Sequence, residues 1–335
     1  MRRGTNSKEV LDMDTIRSSS ASKAQRIAAI DIGTVTCRLL ISDVEGTTIH
    51  ELAHACAITN LGEGVDECGE LQQAAIDRVE RQIAEFITTI DTFRTPDQPI
   101  HIVAMATSAA RDAANADDLT QALARHGVVL SVIPGEQEAA LSFRGASAAF
   151  AGEHLLVADV GGGSTELIAG IGGSNPSYAH SFNVGCRRLT ERFITVDPPC
   201  QDDFAAARAW FEPHFAQFFD NLRMQQYPID RIVAVAGTAT TVVSIDKAMR
   251  VYDASLVDGC EVSLSTLKSI TQRLAALPLV QRRQVVGLQP DRAPVIVAGL
   301  VILQSILQLA GVQAYTVSES DILQGMTLKT AEEDR

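Results

Sequence analysis

The strongest constraint on this chain is that part of it occurs twice. "DIGTVTCRL" runs from Asp31 to Leu39, and "DVGGGSTEL" from Asp159 to Leu167. Both read Asp-apolar-Gly-x-x-(Thr/Ser)-x-x-Leu. Each follows a hydrophobic strand, Arg26–Ile32 or His154–Val160, and each leads into another strand. Around both copies strand-like and helix-like segments alternate, which predicts an α/β architecture. At 335 residues the chain exceeds what one compact core usually holds. The expectation is therefore two related domains, 26–151 and 152–335, facing each other across a cleft, with the last helix free to pack back on the first domain. The polar, serine-rich segment 1–25 is expected to lack structure.

Strands are expected at Arg38–Val44, Ile49–Thr59, His101–Thr107, Val128–Ile133, Thr165–Ala169, Ser177–Val184, Arg231–Ala236 and Ala314–Val317. Helices are expected at Leu71–Phe93, Asp117–His126, Glu136–Phe150, Asp202–Met224, Thr241–Met249, Leu264–Leu277, Arg292–Leu309 and Asp321–Thr330. The longest apolar run, Ala293–Leu303, is too short to span a bilayer, and the basic start is not followed by the apolar core of a secretory signal. The net charge, 28 − 41 = −13, would repel a nucleic acid backbone. Six cysteines stand singly, as free thiols do in a reducing compartment. His50 and His54 have helical metal spacing but fall in a strand. These features predict a cytoplasmic protein without a membrane or nucleic acid partner.

The chemistry concentrates at the repeats. Three glycines followed by Ser164 and Thr165 strip side chains from the second turn and expose backbone N–H groups, a nest suited to phosphate. Glycines can also serve such a turn through positive φ alone. Asp159 ends an apolar strand, where a free charge is costly, and Glu166 lies inside the next. Beside phosphate the two carboxylates make sense with a divalent cation between them. The bland alternative makes Asp159 a turn cap and leaves Glu166 facing solvent. In "VIPGEQEAALSFRG", Glu136 and Glu138 either favour a helix dipole or, for one of them, position an attacking water. In "ATSAARDAAN", Thr107 and Ser108 can cap a helix and Arg111 can clamp a phosphate. Arg38 takes the place on the first hairpin that Glu166 takes on the second. Arg187, Arg188, Arg282 and Arg283 read as solvated surface arginines.

These blocks resemble the exopolyphosphatase/guanosine-pentaphosphatase (Ppx/GppA) family, within the actin-like superfamily of duplicated ribonuclease-H-like domains. The likeness runs from about Ile27 to Met326. After the two hairpins, "TSAARDAAN" and "PGEQEAALSF" it takes in "VGCRRLTERF", "VAGTATT", "VDGCEVSLSTL" and "GLQPDRAPVIVAGLVIL", in the family's order. The resemblance implies mixed sheets flanked by helices, an active site in the interdomain cleft, and Mg2+-assisted hydrolysis of a terminal phosphoanhydride of inorganic polyphosphate or of pppGpp. It implies Glu138 as catalytic base and Asp159 and Glu166 as metal- and water-organising acids. Gly33, Thr34, Thr36 and Arg38, with Gly161, Gly162, Gly163, Ser164 and Thr165, match its phosphate loops, and Arg111 a substrate-side arginine. A homodimer is compatible with the family. Departures fall at Val35, Ala140, Ala236 and "SESDILQG" (Ser318–Gly325), and they bear on substrate affinity and chain length. Longer members append a helical domain; a chain ending at Arg335 is expected to be a short member of weaker processivity. A binding regulator that has lost turnover is the reading from another class, and Glu138 speaks against it. A sugar or acetate kinase would need an acceptor-binding block, and the sequence offers none.

Overall fold

A computed structural model describes residues 24–333. The segment 1–25 lies outside the described residues except for its last two, and Gln25 already belongs to a strand. The first half runs β1 (Gln25–Ile32), β2 (Thr36–Glu45), β3 (Thr48–Ile58), α1 (Val65–Cys68), α2 (Gln73–Thr92), β4 (Ile100–Ala106), α3 (Ser108–Asp112), α4 (Ala116–Ala124), β5 (Leu130–Val132) and α5 (Gly135–Ser147). The second half opens with β6 (His154–Val160), β7 (Thr165–Ile171), β8 (Pro176–Phe182), α6 (Cys186–Phe193), α7 (Gln201–Met224), β9 (Arg231–Val235) and α8 (Ala236–Asp246). It closes with β10 (Glu261–Ser263), α9 (Leu264–Ala275), α10 (Leu279–Arg282), α11 (Ile296–Ala310), β11 (Ala314–Val317) and α12 (Ile322–Glu333).

The two sheets share one plan. Their orders are β3-β2-β1-β4-β5 and β10-β11-β9-β6-β7-β8. In each, a hairpin pairs antiparallel and a third strand extends it, while parallel strands follow on the other side. This is the duplication expected from the repeat, in the two-domain plan that the family resemblance implies. The equivalence reaches single residues: Asp31 pairs with Arg38 across the first hairpin and Asp159 with Glu166 across the second. The central strands β1 and β6 are almost wholly buried, which is why their sequences are continuous apolar runs rather than alternating ones. The run around Ala293–Leu303 forms most of α11, buried through the second domain. No helix among the described residues is long and apolar enough to cross a membrane.

The halves exchange their last helices. Following β5 of the first sheet, α5 buries Ala139, Phe143 and Ala146 against Leu155, Val157 and Ile168 of the second sheet. Helix α12 follows β11 of the second sheet and buries Ile322, Leu323 and Met326 against Ala29, Leu40 and Met105 of the first. The packing boundary therefore differs from a cut of the sequence near residue 152. The two exchanged helices cross where neither has a side chain. A Cβ on Gly145 would lie 1.8 Å from the Asp321 carbonyl oxygen, and one on Gly325 would lie 2.0 Å from that of Leu141.

Candidate active site

The two hairpin turns meet tip to tip. A Cβ on Gly162 would lie 2.6 Å from Val35 Cγ2, and one on Gly163 would lie 2.5 Å from Ser108 Oγ and 2.7 Å from Thr34 Oγ1. These glycines are thus required by the opposing loop as well as by any ligand. Val35 joins Cys186 and Val295 in a small apolar contact between the halves, which accounts for an apolar residue at that turn position. The N–H groups of Gly33 and Gly161 close their own turns onto Thr36 O at 2.9 Å and Ser164 O at 3.1 Å. Those of Thr34, Val35, Gly162 and Gly163 have no acceptor among the described residues. Two rows of free donors therefore border one cleft of about 430 Å3. A groove of about 450 Å3 between β8 and α7 shares no residue with it and carries neither carboxylate nor arginine.

Seven carboxylates line the cleft: Asp31, Glu51, Glu319 and Asp321, and the three candidates Glu138, Asp159 and Glu166. Glu138 stands in the first turn of α5, which the exchange presses onto the second sheet; it is 8% exposed and receives Arg111 Nη1 at 2.9 Å. Burial pushes its pKa up to about 7 against the opposing pull of Arg111. Asp159, at the end of β6, accepts a 2.7 Å hydrogen bond from Ser142, and burial followed by the charge of Asp321 raises it to about 6. Glu166, 1% exposed on β7, accepts from Ser181 at 2.6 Å. Burial, then Glu138 and Asp159, hold it well above the usual carboxylate range. Asp159 raises Glu138, and both raise Glu166, so the group is poised to share protons or positive charge. Glu166 does not face solvent. Glu136, the other candidate in that helix turn, is not among the residues lining the cleft.

The remaining sequence candidates divide. Gly33, Thr34, Thr36, Arg38, Gly161, Gly162, Gly163 and Ser164 all line the cleft. Thr165 does not: it is fully buried and donates its hydroxyl to Val184 O at 2.6 Å, so its role as a substrate contact is corrected to bracing the loop. Arg111 is also absent from the lining; its guanidinium donates to Ile133 O at 3.0 Å and to Glu138. In this structure it holds the acid. Arg38 reaches the cleft but is committed to Asp31 at 2.7 Å and to Asp321 of the α12 segment. Of the arginines read as surface residues, Arg187, Arg188 and Arg282 have side chains only 12, 15 and 3% exposed.

Sequence reasoning missed Arg292. It lines the cleft and is 8% exposed; among the described residues its buried Nε has no partner, and its guanidinium makes one hydrogen bond, to Gln289 Oε1 at 3.5 Å. A buried cation without a carboxylate is costly unless an anion arrives. The block "GLQPDRAP" contains it, but the absence of a partner is not visible in sequence.

Magnesium can be tested against the same donors. No three His, Cys, Asp or Glu side chains among the described residues close a metal cage. Asp159 and Glu166 are register partners across β6–β7, each steadied by serine hydroxyls and each with lone pairs to spare. Magnesium is commonly held by one or two carboxylates together with water and substrate phosphates, so this hard-oxygen pair fits it.

Unpaired loop donors, a buried arginine without a carboxylate and three buried acids thus line one cleft between the two duplicated halves. Comparisons with known proteins assign the chain to a family. The model of the Ppx/GppA phosphatase family matches residues 40–333. Exopolyphosphatase 2 of Mycobacterium tuberculosis (strain ATCC 25618 / H37Rv) is 35% identical over 325 residues, covering 91% of this chain and 98% of the relative. An exopolyphosphatase structure from Cytophaga hutchinsonii superposes with a TM-score of 0.83 at 26% identity, covering 92% of this chain and 98% of the other. The Aquifex aeolicus member of the Ppx/GppA family gives 0.73 at 28% identity, covering 93% and 99%. The chain belongs to the Ppx/GppA phosphatase family and is a phosphoanhydride hydrolase.

Proposed function

We propose that this enzyme is an exopolyphosphatase that releases the terminal phosphate of inorganic polyphosphate. The observation that carries the reading is that free loop N–H donors, Arg292 and the Glu138–Asp159–Glu166 group all line a single cleft. Phosphoryl transfer asks a protein chiefly for in-line positioning and charge neutralisation. Gly162, Gly163 and Thr34 donate backbone N–H groups to the terminal phosphate, and Arg292 supplies a charge to the chain behind it. Glu138, held by Arg111, accepts a proton from the attacking water; a carboxyl poised near neutrality is matched to that task. Asp159 and Glu166 would hold magnesium, which when bound neutralises phosphate charge. The setting is cytoplasmic, where the six free cysteines stay reduced.

A second reading, pppGpp 5′-phosphohydrolase, draws on the outer cleft. There Tyr252, 46% exposed, stands with Gln289 and Thr240 among residues suited to a nucleoside. Orthophosphate release from polyphosphate, pppGpp and ATP at matched concentrations with magnesium decides between them. A kcat/KM for polyphosphate above the other two supports the first reading, a preference for pppGpp the second, and release from ATP alone neither.

A further inference from the structure

The residues that line the cleft differ in burial. Glu51, Cys56, Tyr252 and Ala254 are exposed and mark its mouth. Thr34, Ser108 and Glu166, at 7, 1 and 1%, mark its inner end. The inner end is a wall, since at Gly163 not even a methyl group fits between the loop, Thr34 and Ser108. Ser164, the next residue, leads directly into β7, which carries Glu166, so the wall adjoins the acids. On its other side is a small hollow of about 20 Å3, bordered by Arg187, Arg188 and Asp66.

One side chain holds that wall from behind. Arg188 of α6 donates Nε to Gly163 O at 2.9 Å, Nη1 to Asp66 of α1 and Nη2 to Asp112 of α3. All three guanidinium nitrogens are used, one on the second half's phosphate loop and two on the first half. Arg187 adds a bond to Asn60 of the first half, and Glu191 accepts the Gly64 N–H at 3.4 Å.

We propose that Arg188 is a rivet that makes the cleft blind, and that this blind end is what restricts the enzyme to chain termini. The inference rests on the polyphosphate reading above. Attack on an internal phosphorus requires the chain to continue on both sides of it, one arm toward the mouth and the other through the wall. With the wall shut, only a terminal phosphorus reaches Glu138. Arg188 touches no reacting atom in this account; it is a positioning residue.

The test uses polyphosphate with both ends blocked, beside the same polymer with free ends. Internal hydrolysis forms a bond from water oxygen to a mid-chain phosphorus and breaks one P–O–P link. It gives two shorter chains and no orthophosphate in the first cut. Wild type is expected to release orthophosphate from open chains and leave blocked chains intact. Two part-exposed ion pairs and one charged hydrogen bond favour the closed form by roughly tenfold. In Arg188→Ala the ratio of internal to terminal cleavage therefore rises about tenfold. Asp66→Ala removes one arm at the protein's edge without touching the loop, so it remains decisive should Arg188→Ala fail to fold, and it moves the ratio the same way by less. Unchanged ratios in the folded variants, or blocked chains shortened by wild type, overturn the rivet. Wild type inert on open chains overturns the exopolyphosphatase reading instead.

Discussion

Replacing Arg111 by methionine separates two jobs that residue could do. If Arg111 clamps phosphate, its loss raises KM at every pH. If it steadies Glu138, as the 2.9 Å contact indicates, its loss moves the pH profile. Burial has already lifted Glu138 to about 7, and Arg111 is the main influence opposing that rise. A neighbouring cation usually lowers a carboxyl by about 1–3 pH units, so removing it raises Glu138 further. At pH 7 the wild-type carboxyl is about half ionised. One further unit cuts the ionised fraction about fivefold, and two cut it about fiftyfold. The acid limb of kcat/KM, which reports the free enzyme, should shift from near pH 7 toward pH 8–9, with activity recovered in alkali. An acid limb left in place with KM raised uniformly would refute the reasoning and restore Arg111 to the substrate.

Gly163→Ala would force a Cβ to within 2.5 Å of Ser108 Oγ; a loss of about a hundredfold in kcat/KM is expected from the displaced loop, measured beside a thermal melt to separate it from unfolding. Ala236 opens α8 at φ +64°, in the left-handed region, on the cleft wall. Ala236→Gly should raise stability by about 1 kcal/mol, read as a higher urea midpoint with an unchanged slope. The pKa of Glu138 rises on folding from 4.5 to about 7, so its contribution to stability is fully present below about pH 4.5 and is lost as pH rises through 7. Glu138→Gln should therefore abolish turnover yet stabilise the protein by up to about 3 kcal/mol at pH 8 and by almost nothing at pH 4, which melts at the two pH values test.

The repeat made the architecture readable, because strand–turn–strand units carry their pattern within nine residues. The pairs Asp31–Arg38 and Asp159–Glu166 sit where the alignment of the two copies puts them. The exchange of α5 and α12 was less legible, since an apolar helix face does not name the sheet it will cover. Charge pairing was the least visible of all. Arg38 is spent on Asp321, 283 residues away, and Arg188 on two acids of the other half. Such partners are set by how the halves close, so a local reading could only treat Arg38 as a free clamp and Arg188 as surface. The glycine turn was read as open to a ligand. Its tightness against Thr34 and Ser108 appears only once both hairpins are in place.

The most direct measurement is orthophosphate release from polyphosphate with magnesium, by wild type and Glu138→Ala side by side, with polymer binding recorded for both. Loss of the water-activating carboxyl should cut the rate by about a hundredfold or more while the chain still binds. A variant that turns over at the wild-type rate contradicts the account.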